Sequence, residues 1–326
     1  MAVDLYYMDN LLRDELGALK NFYLDYSISM EKGDNTFELR MPLKNSDVIL
    51  EKGQYIVSPD IECGGRIDSI RIQTQSDTIY YEGRTVRGLL ESHIIIPPSG
   101  QDYYTFTGTI YNAVYTLLDS CALTPFFRLV DTGITTSVTN YKFERYIDLY
   151  SGLVKLLKEN GLKFVFRKAD VQFKFDIFIY PITDFSVDQE FSSDQYDMDI
   201  TKASTTVNHL IGLGKGELKD RIVEHRYIDL NGNISTVPYQ TGVNEVAEVY
   251  DYSSAERDEL IESMVERLQE MQTSDSIKIT LGDVEADVGD KFRAVEETTG
   301  IEATQYVTQK VITMTENDIT CRYVAK

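Results

Sequence analysis

The chain has 326 residues, 42% hydrophobic and 26% charged, and its 53 acidic residues outnumber its 32 basic ones for a net charge of −21. That length predicts two domains, or three small ones, and the acidity excludes wrapping around DNA or onto an anionic membrane. The same acidity serves either plain solubility or a surface that nucleic acid must pass without sticking.

Residues 3–8 (VDLYYM) read as a first strand, and 22–30 (FYLDYSISM) alternate so that Phe22, Leu24, Tyr26 and Ile28 share one face. A Gly-Asp-Asn turn follows, residues 36–41 (TFELRM) return, and Pro42 ends the hairpin. Residues 55–58, 65–74 and 77–85 add three strands, so the first 85 residues predict a small antiparallel sheet or barrel. Residues 81–98 (YEGRTVRGLLESHIIIPP) close it with a short helix and an apolar run. Residues 108–122 place Ile110, Ala113, Val114, Leu117, Leu118 and Cys121 on one helical face, and 149–160 repeat the pattern with Leu149, Gly152, Leu153, Leu156 and Leu157. Asp148 is the expected N-cap and Asn160-Gly161 the stop. Strands at 162–167 and 171–180 follow, the second with Val171, Phe173, Phe175, Ile177 and Ile179 on one face. Residues 184–200 are acidic and aperiodic and predict a loop. Asn208 then enters an apolar strand ending Gly212-Leu213-Gly214, and 221–239 form a hairpin about Asn231-Gly232. Residues 253–272 predict a helix with Ser253 and Glu256 as a capping box. Its buried stripe is Leu260, Ile261, Met264, Val265, Leu268 and Met271, and Glu259, Glu262, Glu266 and Glu270 face out. A strand, the turn Val288-Gly289-Asp290-Lys291-Phe292 and a closing hairpin complete the pattern.

No catalytic, cofactor-binding or metal-binding residues emerge. Gly212-x-Gly214-x-Gly216 lacks the spacing of a dinucleotide loop and reads as a glycine-rich strand end. Asp229-x-Asn231-x-Asn233 starts like a calcium loop, but Ile234 stands where glycine is required and Gln240 where glutamate is, so a turn is expected. His93, His209 and His225 are isolated in sequence, which argues against a metal site. Cys63, Cys121 and Cys321 are widely spaced and read as free thiols. Asp197 and Asp199 could pair with Glu190 or Asp194 as the carboxylates of a wall-degrading glycosidase, but in a chain this acidic a solvated loop is the better reading. No apolar stretch approaches the ~18 residues of a membrane helix. The N-terminus MAVDLYYMDN has neither the basic region nor the apolar run of a signal peptide.

The order of motifs resembles the tail hub proteins of siphophages and prophages, the baseplate hub or tail-associated family. These are relatives of contractile-phage baseplate hubs and of the type VI secretion spike hub. The resemblance rests on the Glu-Gly-Arg strand running into a Gly-Leu-Leu helix, on LYSGLVKLLKENGLKFVF, on Asn208 with Gly-x-Gly, and on the helix, strand and Gly-Asp-Lys order of the last third. It implies a β-rich α+β fold of two tube-protein-like β-barrel domains with an inserted α+β domain. The first barrel would be 1–97, completed by part of 183–215; the insertion 98–182; the second barrel 183–326, with helix 253–272. The implied function is structural and non-enzymatic: a trimeric ring that adapts a six-fold tail tube to a three-fold tip and lets the genome pass. Implied partners are copies of itself, the tail tube or distal tail protein, a downstream tip or fibre protein, and phage DNA only in passing. The location would be the virion tail, after synthesis in the host cytoplasm. Because the sequence stops after the second barrel, any lytic or fibre region of longer relatives is expected to be missing or to be a separate protein. The alternatives are a tail-associated wall-degrading enzyme, or a receptor- or carbohydrate-binding module, for which clustered tyrosines are the only support.

Overall fold

A computed structural model of the chain describes residues 4–44, 46–59, 61–168, 174–188, 191–202, 207–229, 232–271, 276–281 and 286–326. Val3, Val171, Phe173, Glu190, Asn231 and Gln272, named above, lie outside them. The strands and helices in chain order are β1 (Tyr6–Met8), β2 (Glu15–Ala18), β3 (Tyr23–Ser29), β4 (Thr36–Pro42), β5 (Tyr55–Ser58), β6 (Cys63–Gln73), β7 (Thr78–Thr85) and α1 (Val86–Leu90). Next come β8 (Thr105–Thr109), α2 (Ile110–Ser120), β9 (Phe127–Leu129), β10 (Ser137–Lys142), α3 (Leu149–Glu159), β11 (Leu162–Lys168), β12 (Phe175–Pro181) and α4 (Phe185–Asp188). The remainder are β13 (Phe191–Ser192), β14 (Met198–Thr201), β15 (His209–Leu213), β16 (Val223–Ile228), β17 (Ile234–Ser235), β18 (Ala247–Asp251), α5 (Arg257–Glu270), β19 (Ser276–Leu281), β20 (Lys291–Glu296), β21 (Ile301–Thr315) and β22 (Ile319–Ala325). Among the described residues no helix is long and apolar enough to cross a membrane.

The chain divides into two compact units, 1–200 with 277–326, and 201–276. The boundaries expected at 97/98 and 182/183 fall inside the first. Its main sheet has 13 strands, with the path β14-β19-β22-β21-β3-β4-β7-β6-β5-β1-β2 and with β13 and β20 joined beside β21. The strand-rich α+β class holds, and none of the described sheets closes into a barrel. The strands assigned to two barrels are instead fused: β21 pairs antiparallel with β3 from Gln309↔Ser29 to Thr315↔Tyr23. One core serves both, with Leu24, Tyr26 and Phe37 from the N-terminal strands and Phe292, Ile312 and Tyr323 from the C-terminal ones. Strand alternation creates this core, because each strand turns every second side chain inward.

The described residues of 98–182 hold α2, α3 and the sheets β10-β8 and β11-β12-β9, within the same unit. Helices α2 and α3 bury the predicted apolar stripes, except that Cys121 is only half-buried. They pack with the sheet β11-β12-β9, whose Phe164, Phe166, Phe175 and Phe127 complete a second core. Asp148 caps α3 by accepting from the Ser151 N–H at 3.0 Å, and Gly161 leaves the helix with φ +68°. The segment expected as a loop at 184–200 instead holds α4, β13 and β14. The two-residue β13 pairs parallel with β20, a partner about a hundred residues away that carries no local signal.

The second unit is one layer of sheet, β17-β16-β15-β18, with α5 against it. Its core is Leu210, Ile228, Ala255, Leu260, Met264 and Leu268, with Val207. Ile261, Val265 and Met271 of the predicted stripe are half-buried. The capping box is absent: α5 begins at Arg257 with Glu256 as N-cap and no side-chain cap bond. Glu256 is engaged by Lys215 instead, and the Ala255 carbonyl accepts from the Lys215 N–H at 2.9 Å. The Gly-x-Gly strand is explained by packing. A Cβ at Gly212 would collide with the Met264 thioether, and one at Gly214 would lie 2.9 Å from the Ala255 carbonyl oxygen.

Candidate functional site: the polar face of the large sheet

The face of β21-β3-β4-β7-β6 opposite the core is built from the outward residues of each strand. Register aligns them into rows. Thr313, Asp25, Glu38, Glu82 and Ser69 stand side by side across five strands, and the neighbouring row is Thr315, Tyr23, Arg40, Tyr80 and Arg71. Three carboxylates directly abreast repel one another. The adjacent row offsets this: Arg40 Nε donates to Glu38 at 2.6 Å and its Nη2 to Asp25 at 3.4 Å, while Arg71 Nη2 reaches Glu38 at 3.1 Å and Glu82 at 3.2 Å. Arg71 also lies over the Tyr80 ring at 3.7 Å, and Arg40 over Tyr23 at 4.9 Å. Further along, Asp68 takes Arg84 at 2.6 Å and Arg66 at 3.2 Å. Burial pushes the Asp68 carboxyl up, but Arg84 and Arg66 outweigh it and hold it below the usual range. Asp25, Glu38, Asp68, Ser69, Glu82 and Arg84 border a depression of about 530 Å³. Each of the four arginines of the face, Arg40, Arg66, Arg71 and Arg84, has a carboxylate partner.

Two buried ion clusters hold the elements that support this face. Asp290, 1% exposed, accepts from Lys163 Nζ at 2.6 Å, from the Thr183 N–H at 2.7 Å and from the Asp287 N–H at 2.8 Å. This is the aspartate of the Val-Gly-Asp-Lys-Phe turn, and Gly289 gives that turn its φ of +105°. The next residue, Lys291, donates to Asp184 at 3.1 Å, and Phe292 packs on Phe191 and Tyr323. The turn therefore ties β20 to the 183–192 segment and to β11. The second cluster is Arg87 on α1. It donates through Nε and Nη2 to Glu62 at 2.5 and 3.0 Å, to the Phe164 carbonyl at 3.0 Å and to the Tyr150 hydroxyl at 3.2 Å. Glu62 also accepts from the Phe166 N–H at 3.1 Å.

The residues weighed in the sequence fall as follows. Asp194, Asp197 and Asp199 are exposed, and Asp199 pairs with Lys278 at 3.5 Å. Asp229 closes a turn by accepting from the Asn233 N–H at 2.8 Å, as expected. Among the described residues no cluster of three or more His, Cys, Asp or Glu could hold a metal. None of the three cysteines is in a disulfide, and burial pushes the Cys63 thiol well up. Two histidines are not isolated in space. His209 Nε2 lies 2.8 Å from His225 Nδ1, its Nδ1 lies 2.6 Å from Glu245, and its ring stacks on Tyr227 at 4.3 Å. Sequence spacing missed this pair because it depends on the β15–β16 register, in which Ile211 faces His225.

No protein-family model matches the chain, and no curated protein does. Solved structures do. The tail protein from Neisseria meningitidis MC58 aligns over 100% of this chain and 97% of its own, at 14% identity and a TM-score of 0.58. The 43 kDa tail protein of prophage MuSo2 from Shewanella oneidensis aligns over 99% and 98%, at 11% identity and 0.59. A chain of the phage P2 baseplate in its activated conformation aligns over 99% and 98%, at 11% identity and 0.52. The resemblance to tail and baseplate proteins read from the sequence is therefore matched in the fold.

Proposed function

We propose that the chain is a structural protein of a phage or prophage tail, the baseplate hub that joins the tail tube to the tip. The observation that carries this is the end-to-end correspondence: both the chain and its neighbours are covered almost completely, so the likeness is to a whole architecture. In this reading three copies close into a ring. The tube-like parts of each lie in 1–97 and 183–326, and the 98–182 insertion lies outside the ring. The strands β14 and β2 end the path of the large sheet, and such edges invite pairing with a neighbouring chain. The partners are copies of itself, the tube or distal tail protein and a tip or fibre protein, in the virion tail.

Genome passage asks for a surface that does not grip phosphate, and the polar face with its carboxylate-held arginines suits that role. We read the chain as non-enzymatic, because the structures it is similar to are tail and baseplate proteins. The test is co-expression with the tube protein followed by electron microscopy and a peptidoglycan-release assay. A three-fold ring without hydrolysis is the expected result. A chain that stays monomeric beside its tail partners, or releases peptidoglycan in an Asp197-dependent way, would overturn the reading.

A further inference from the structure

A second cavity, of about 220 Å³, lies where the insertion meets β5, β6 and β7. Its wall is strongly apolar: Leu12, Leu89, Phe126, Phe127 and Phe175 line it. Its polar side is cationic. Tyr55, Arg66 and Arg84 stand in one row across the three strands, followed by Ser92 and His93 after α1. Arg84 donates to Asp68 at 2.6 and 2.9 Å and to Ser92 Oγ at 2.6 Å, while Arg66 donates to the same Asp68 at 3.2 Å. Two guanidiniums thus share one carboxylate. The next carboxylate, Glu91, is turned to Asn35 at 2.7 Å and the Gly33 N–H at 3.1 Å. Burial and then Arg84 push the His93 imidazole down, so it is neutral at pH 7. The wall carries backbone strain at Leu12, whose φ is +59°.

An apolar floor beneath a rim of two guanidiniums and a single carboxylate, with one positive charge in excess, is complementary to one chemistry. We propose that this crevice binds an apolar carboxylate of about the size of one residue, either a free aryl or alkyl acid or the C-terminal residue of a partner chain. The apolar group fills the space between Phe126 and Leu89, and the carboxylate accepts from Arg66 with His93 beside it. A cavity that holds a single ring-sized group agrees with the volume. This goes beyond the hub reading and does not depend on it: a failed ring assembly leaves it standing.

The test is an NMR titration of the full chain with 3-phenylpropionate and, separately, with 3-phenylpropionamide. The acid is expected to bind with a Kd on the order of 1 mM, shifting signals of Phe126, Phe127 and His93. The amide is expected to bind about tenfold more weakly, because it lacks the charge-assisted bond. His93 should titrate at higher pH in the bound state. Arg66→Gln and Phe126→Ala, both at partly exposed positions, should each weaken the acid about tenfold. Peptides ending in Phe, as free acid or as amide, separate the two sources. Tighter binding of the peptide acid assigns a chain terminus, and exclusion of the peptide while the small acid binds assigns a free acid. No saturable shift with either acid, or equal binding of acid and amide, would overturn the proposal.

Discussion

A carboxylate buried against a guanidinium becomes most costly when one partner is removed. Glu62 and Arg87 are 4% and 2% exposed, and Arg87 holds two further acceptors. Glu62→Ala should therefore destabilise the chain by roughly 3–5 kcal/mol, read as a fall in the thermal midpoint; an unchanged midpoint would mean that water reaches the guanidinium. Lys163 with Asp287 and Asp290 gives a pH-dependent counterpart. Burial pushes the Asp287 carboxyl up, Lys163 pulls it down harder, and the net result lies below its ordinary value. The folded state thus binds its proton less readily than the unfolded one. The stabilisation is fully present above about pH 4 and is lost as pH falls through the lower folded value. Urea midpoints should drop as pH falls below about 4, and Lys163→Met should flatten that drop. At this scale the sequence was partly legible. Asp290 stood out through its Gly-Asp-Lys turn, but its partners Lys163 and Thr183 are more than a hundred residues away.

Elements with a strong local period were legible: β3, β4, α2 and α3 lie within a residue or two of their predicted bounds because alternation and the 3.6-residue stripe both mark buried faces. Asp148 is a cap in the structure as in the sequence, and Asp148→Ala should cost about 1 kcal/mol, measurable by chemical denaturation. Where a local signal competed with tertiary demand, it failed. The Ser253 and Glu256 pair has the spacing of a capping box, yet Lys215 draws Glu256 away and the helix starts one turn later. The glycines of β15 were legible as a strand end, but their purpose needed the helix that lies against them. Gly212→Val should displace Met264 and cost on the order of 1–3 kcal/mol through overpacking. An equally stable variant would mean that α5 can move off its sheet.

At the scale of the whole molecule, sequence reasoning found the strand-rich class and the family of folds. It did not find the second compact unit, because β15, β16 and β18 are short and β18 pairs parallel to β15 across a long connection. That unit has its own sheet and its own core. Residues 201–276 expressed alone should give a dispersed amide spectrum, and the intact chain should unfold in two steps; a collapsed, undispersed spectrum would mean that the core is too small to stand by itself.

The seam between β3 and β21 also sets a timetable. Asp25 and Thr313, bonded across it, are 288 residues apart. At ~5–20 residues per second of synthesis, β3 waits on the order of ten seconds or more for its neighbour to exist. During that interval the hairpin β3–β4 presents an unpaired edge and half of a shared core. A chain terminated before β21 keeps that edge open, and an open edge invites pairing with another such chain. Completion of the seam closes that edge, and only a chain made through β21 carries the whole large sheet.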